Sequence, residues 1–186
     1  GSDPTIDDCE ISDCDNIGIL VTGSTAQPEI RNSYLYDIDY DALYVTGDAD
    51  PKVFNNKLYA GQGFAVRVYG ADGLFCGNEF RTQTTNSGVG IYGSTSSPEF
   101  NEDYFQGNLW DMRYIAGSNA VYISAGQPDF GDYPIHRGAN DFMYLSYIGD
   151  DDYYIHNNSG NMVLAESNYW GVTQPADSFF YRQCRS

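Results

Sequence analysis

The segment from Pro4 to Gly23 returns between Pro28 and Gly47 at a constant offset of 24 residues: Ile6 matches Ile30, Cys9 Ser33, Ile11 Leu35, Ile19 Leu43, Val21 Val45 and Gly23 Gly47. The pattern runs on through Val53, Asn56, Leu58, Val66, Val68 and Gly70, and again through Phe75, Asn78, Phe80, Val89, Ile91 and Gly93. Self-similarity at such a period marks stacked repeats, because a unit this small cannot bury an apolar face alone. Within each unit the apolar residues alternate, as in Ile19-x-Val21, Leu43-x-Val45, Val66-x-Val68 and Val89-x-Ile91. Period two specifies strands, not helices. Composition agrees, since 20 Gly and 17 Tyr against 3 Met favour strands and turns over a helical bundle. The expected fold is all-β, a right-handed single-stranded parallel β-helix of about seven coils, roughly 33 Å long at about 4.8 Å per coil.

One polar position precedes the inner aliphatic of each unit: Cys9, Ser33, Asn56, Asn78, Asp103, Asn140 and Asn168. Amides stacked at a tight corner can bond both the backbone and the amide one coil away, which satisfies groups that burial would otherwise strand. Cys9 cannot replace an amide, so the first corner is expected to be weaker. The ladder spacings of 24, 23, 22, 25, 37 and 28 place the irregularity after Asp103. There, 16 residues separate Phe105 from Val121 where 9 separate Phe80 from Val89, so residues 106–119 form a loop insertion carrying Trp110, Asp111, Met112 and Arg113. Residues 1–186 otherwise read as a single domain, a fragment of a longer secreted protein in which Gly1-Ser2 is a cloning remnant.

The chain's ending carries Gln127-Pro128-Asp129-Phe130-Gly131, Gly138-Ala139-Asn140-Asp141-Phe142 and Asn168-Tyr169-Trp170-Gly171. On these segments, and on the repeat, the sequence resembles the pectin-lyase-like right-handed β-helix repeats of bacterial secreted proteins, the carbohydrate-binding and sugar-hydrolase repeats. The resemblance implies a scaffold on which Trp170 plugs the end of the core, and an extracellular or cell-surface setting. It fixes architecture better than activity, because such scaffolds host many roles.

With 26 acidic against 9 basic residues the net charge is −17, which argues against a nucleic-acid partner. The longest apolar stretch, Ile17 to Val21, is too short to span a bilayer. Three outward groupings follow from the offset. The first is a tyrosine stripe on the second strand of each unit, Tyr44, Arg67, Tyr69, Tyr92, Tyr122 and Tyr154. With Trp110 from the insertion it could hold a glycan, Arg67 forking onto a carboxylated sugar; the bland alternative is tyrosine's ordinary preference for exposed strands. The second is Lys57, Glu79 and Arg81 on adjacent units, either a surface ion pair or, as the resemblance allows, the site of a polysaccharide lyase or glycoside hydrolase.

The third grouping stacks Asp13 on Asp37 and Asp15 on Asp39. Like charges about 4.8 Å apart repel by roughly 0.9 kcal/mol in water and about 3.5 kcal/mol at an effective dielectric of 20, so calcium, screening or protonation should relieve them. No Cys-x-x-Cys accompanies His136 or His156, which leaves zinc without support. Four cysteines, Cys9, Cys14, Cys76 and Cys184, allow three pairings. The reading is a non-catalytic module that binds carbohydrate or another protein domain, or serves as an adhesive spacer, with no cofactor unless calcium. The exposed end of a stack also invites end-to-end self-association.

Overall fold

Alternation and turn spacing divide each coil into three short strands, and the computed structural model describes residues 3–82, 88–101, 104–105, 121–130, 155–165 and 180–182. The first coil holds β1 (Thr5–Asp7), β2 (Glu10–Ile11) and β3 (Ile19–Thr22). The second holds β4 (Glu29–Arg31), β5 (Tyr34–Ile38) and β6 (Leu43–Thr46). The third holds β7 (Lys52–Phe54), β8 (Lys57–Ala60) and β9 (Val66–Tyr69). The fourth holds β10 (Leu74–Cys76), β11 (Glu79–Thr82) and β12 (Val89–Tyr92). Beyond these come β13 (Glu99–Asn101), β14 (Tyr104–Phe105), β15 (Val121–Ile123), β16 (Ile155–Asn157) and β17 (Phe180–Arg182). Among the described residues every regular element is a strand, and no helix is long and apolar enough to cross a membrane.

Strands one coil apart pair in parallel, giving three sheets: β1-β4-β7-β10-β13, then β2-β5-β8-β11-β14, then β3-β6-β9-β12-β15-β16-β17. Among the described residues the first two sheets hold five strands each and the third holds seven. The register is the sequence offset made physical: Ile6 pairs with Ile30, Ile30 with Val53, Val53 with Phe75 and Phe75 with Phe100. Inward columns fill the axis completely, with Ile30, Leu35, Leu43, Val53, Leu58, Phe75, Phe80 and Phe100 fully buried. Aromatic rings dominate the later coils, where Phe100 stacks on Phe75 at 4.8 Å and on Phe130 at 4.9 Å. Offset stacks of this kind add to the area that the rings bury.

The corner ladder forms as its residue types demand. The Ser33 backbone N–H donates to Asn56 Oδ1 at 2.9 Å, and Asn56 donates to Asn78 Oδ1 from both its backbone and its side chain, each at 3.0 Å. The amides of Asn56 and Asn78 also donate to the carbonyls of Ile30 and Val53. At the weak first corner only the Cys9 N–H reaches Ser33 Oγ, at 3.2 Å. Just before this ladder Asp8, Asn32 and Asn55 stack in left-handed conformation at φ 53°, 52° and 55°, a region that short polar side chains tolerate. Asp103, Asn140 and Asn168 of the ladder, the 106–119 insertion and the Trp170 plug lie outside the described residues.

Candidate ligand face on the third sheet

Because the inner columns of the third sheet are aliphatic, alternation turns the residues between them outward. The register aligns Leu20, Tyr44, Arg67, Gly90 and Tyr122 in one outward column, and Thr46, Tyr69 and Tyr92 in its neighbour. The next coil departs from expectation: Tyr122 pairs with His156, so His156 takes the place that Tyr154 was expected to fill. The cause is inward. Ile155 pairs with Val121, and Asn157 follows Ile123 into the buried column, where its amide donates to the Asn161 carbonyl and accepts from the Ser159 N–H. Two-residue alternation alone cannot distinguish these registers. Tyr154 and Trp110 themselves lie outside the described residues.

The rings on this face form a run. Phe64 meets Tyr92 edge-on at 5.9 Å, Tyr92 meets Tyr122 at 5.8 Å, and Tyr122 meets His156 edge-on at 5.2 Å. Tyr69, 54% exposed, stands beside them. Burial pushes the Tyr92 phenol above its ordinary value, with a further contribution from Tyr122, and lowers the His156 imidazole. At neutral pH both groups are therefore uncharged.

Phe64 and Asp41 were not singled out by sequence reasoning, yet they organise the face. Asp41, at the corner before β6, is 1% exposed; its Oδ2 lies 3.0 Å from Arg67 Nε, and its Oδ1 accepts from Arg67 Nη2 at 3.2 Å and from the Phe64 N–H at 2.8 Å. The Arg67 guanidinium lies 5.0 Å from the Phe64 ring centre, 5.5 Å from that of Tyr44 and 5.9 Å from that of Tyr40. Desolvation raises the Asp41 carboxyl above its ordinary value, against the opposing pull of the Phe64 N–H and Arg67. Two close approaches depend on missing side chains. A Cβ at Gly63 would come within 2.4 Å of Asp41 Oδ1, and one at Gly90 within 2.7 Å of the Phe64 ring. The visible signal was an aromatic preceded by two glycines, Gly61-Gln62-Gly63-Phe64, just before a strand.

On the second sheet Lys57 pairs with Glu79 in the ladder and Tyr59 with Arg81, as the offset requires. Glu79 is ion-paired to Arg81 on its own strand, and Arg81 lies over the Tyr59 ring at 4.7 Å. Lys57 Nζ sits 6.0 Å from the centre of the Tyr34 ring, which stacks on Tyr36 at 4.5 Å and meets Tyr59 edge-on at 5.2 Å. Tyr36 in turn donates to Glu10. Burial, followed by the nearby Glu79 charge, holds the Tyr59 phenol far above its ordinary value. The three expected residues are thus neighbours, but Glu79 is held by a cation instead of facing a second carboxylate.

Asp13, Asp15, Asp37 and Asp39 do come together at the corner between the second and third sheets. With Cys14, Ile38 and Gly61 they line a concavity of about 290 Å³. A bulge that sequence reading missed shapes this corner. β5 carries one extra residue between Leu35 and Ile38 relative to β8, and Asp13 and Asp37 take left-handed φ of 55° and 49°. All four carboxylates are exposed, and among the described residues no three His, Cys, Asp or Glu side chains are arranged to hold a metal ion. Cys9 and Cys14 are free thiols.

A family model described as a right handed beta helix region matches residues 1–130. Comparison with curated proteins and with solved structures gives no significant match.

Proposed function

The chain belongs to the family of right-handed β-helix regions, and on that premise we propose that it is a non-catalytic binding module, secreted or held at a cell surface, whose third sheet takes a glycan against its tyrosine stripe. The observation that carries this reading is the run of rings from Phe64 through Tyr92 and Tyr122 to His156. Phe64 is itself buried, while Tyr92, Tyr122 and His156 are half-buried on the outward side of columns that already fill the core. Aromatic residues with polar tips present apolar faces to sugar C–H groups and hydroxyls to sugar oxygens. Exposed Tyr69 extends the surface sideways.

The glycoside-hydrolase alternative draws less support, because Glu79 is committed to Arg81 and general acid–base hydrolysis of a glycosidic bond calls for two facing carboxylates. A glycan array probed with the protein, Tyr69→Ala, Tyr122→Ala and Tyr34→Ala tests the proposal. Hits that fade in Tyr69→Ala and Tyr122→Ala but persist in Tyr34→Ala support it. An array without hits, or hits indifferent to the third-sheet substitutions, removes it. Release of reducing ends that stops in Glu79→Gln would establish the cleaving enzyme instead.

A further inference from the structure

We propose that the third-sheet face selects neutral glycans and rejects acidic ones; this rests on the glycan reading above and names its ligand class. An outward arginine within a tyrosine stripe suggests the opposite, since a guanidinium forks readily onto a carboxylate. Here one edge of the guanidinium is already turned to a carboxylate. The Nε and Nη2 of Arg67 both face Asp41, at 3.0 and 3.2 Å, and Asp41 is 1% exposed. Turning that edge to a ligand would strand a buried anion, which is strongly unfavourable. The guanidinium is also enclosed by Phe64, Tyr44 and Tyr40.

The remaining described positions of the face supply no charge to attract an acid. Leu20, Tyr44, Tyr69, Tyr92 and Tyr122 present alkyl and phenol groups, none of them a basic side chain, and burial disfavours the His156 imidazolium. The surroundings repel one: the chain carries −17, and four of its carboxylates rim the concavity at the adjoining corner. What the face does offer is ring surface and phenol hydroxyls, which suit the C–H faces and hydroxyls of an uncharged pyranose.

Calorimetric titration of the protein with neutral gluco-, manno- and galacto-configured hexasaccharides, and with polygalacturonate and polymannuronate hexamers, tests this. At least one neutral chain should bind, with an affinity unchanged within about twofold between about 50 and 500 mM salt, and Tyr122→Ala should weaken it about tenfold. Asp41→Asn, which removes the anion holding Arg67, should gain uronate binding. A uronate that binds the unaltered protein more tightly than every neutral chain overturns the selectivity and leaves the glycan reading standing. An Asp41→Asn protein that still refuses uronates overturns the assignment of selectivity to the Asp41–Arg67 pair. Absence of binding by every hexasaccharide removes the glycan reading itself.

Discussion

On the second sheet Arg81 lies over Tyr59 and pairs with Glu79 on its own strand; on the third sheet Arg67 lies over Tyr44 and pairs with Asp41 in the preceding coil. The ingredients are the same and the consequences differ, because of where the carboxylate sits. Glu79 is on the outer face and remains partly accessible to water, so its pair with Arg81 is a surface ion pair of small net worth. Asp41 is sealed beneath the corner, so the Arg67 pair and the Phe64 N–H are its means of staying ionised. One pair decorates a face. The other fixes the corner that seats Phe64 against Gly90 and thereby shapes the ring array.

The contrast is sharpest when the carboxylates are removed. Asp41→Ala leaves the buried Phe64 N–H without its acceptor and Arg67 without its partner, and should lower stability by about 2–3 kcal/mol in denaturant unfolding. A loss under about 0.5 kcal/mol would erase the distinction between the two sheets. Asp41→Asn separates shape from charge. Because burial raises the folded carboxyl above its ordinary value of 3.8, protonation favours the native state. The contribution of Asp41 is therefore fully present below the unfolded pKa and is lost as pH rises through the higher folded value. The stability of the protein relative to Asp41→Asn should accordingly fall as pH rises through the region above 3.8, read from unfolding midpoints at successive pH values. A difference that is flat or grows with pH would mean that Arg67 outweighs desolvation. Glu79→Gln, the smallest effect, should change stability by about 0.5 kcal/mol or less, and high salt should shrink it further.

The inward half of this molecule was legible because its rules are local and repeated. Period-two alternation names the residues that face the axis, and the offset says which of them stack, so the pairing of Ile6, Ile30 and Val53 follows from residue numbers alone. The Asn56 to Asn78 corner was legible for the same reason, since an amide recurring at one place has a partner one coil away. The outward half was legible only where it inherits that register, as in the Lys57–Glu79 and Tyr92–Tyr69 neighbours. Asp41 and Arg67 occupy different columns and meet only because the corner bends, and bends are not periodic. The exchange of His156 for Tyr154 has a related origin. Asn157 satisfies a turn from the inward side, a demand that hydrophobic alternation does not record. The extra residue in β5 likewise follows from backbone geometry at Asp37 rather than from any apolar pattern.

The two faces are distinguished most directly by following the aromatic resonances of selectively labelled tyrosine and histidine while a neutral hexasaccharide that binds is titrated in. With the glycan on the third sheet, Tyr69, Tyr92, Tyr122 and His156 shift together along one binding curve while Tyr34, Tyr36 and Tyr59 hold still. Shifts centred on Tyr34, Tyr36 and Tyr59, with the third-sheet rings unmoved, would contradict that placement.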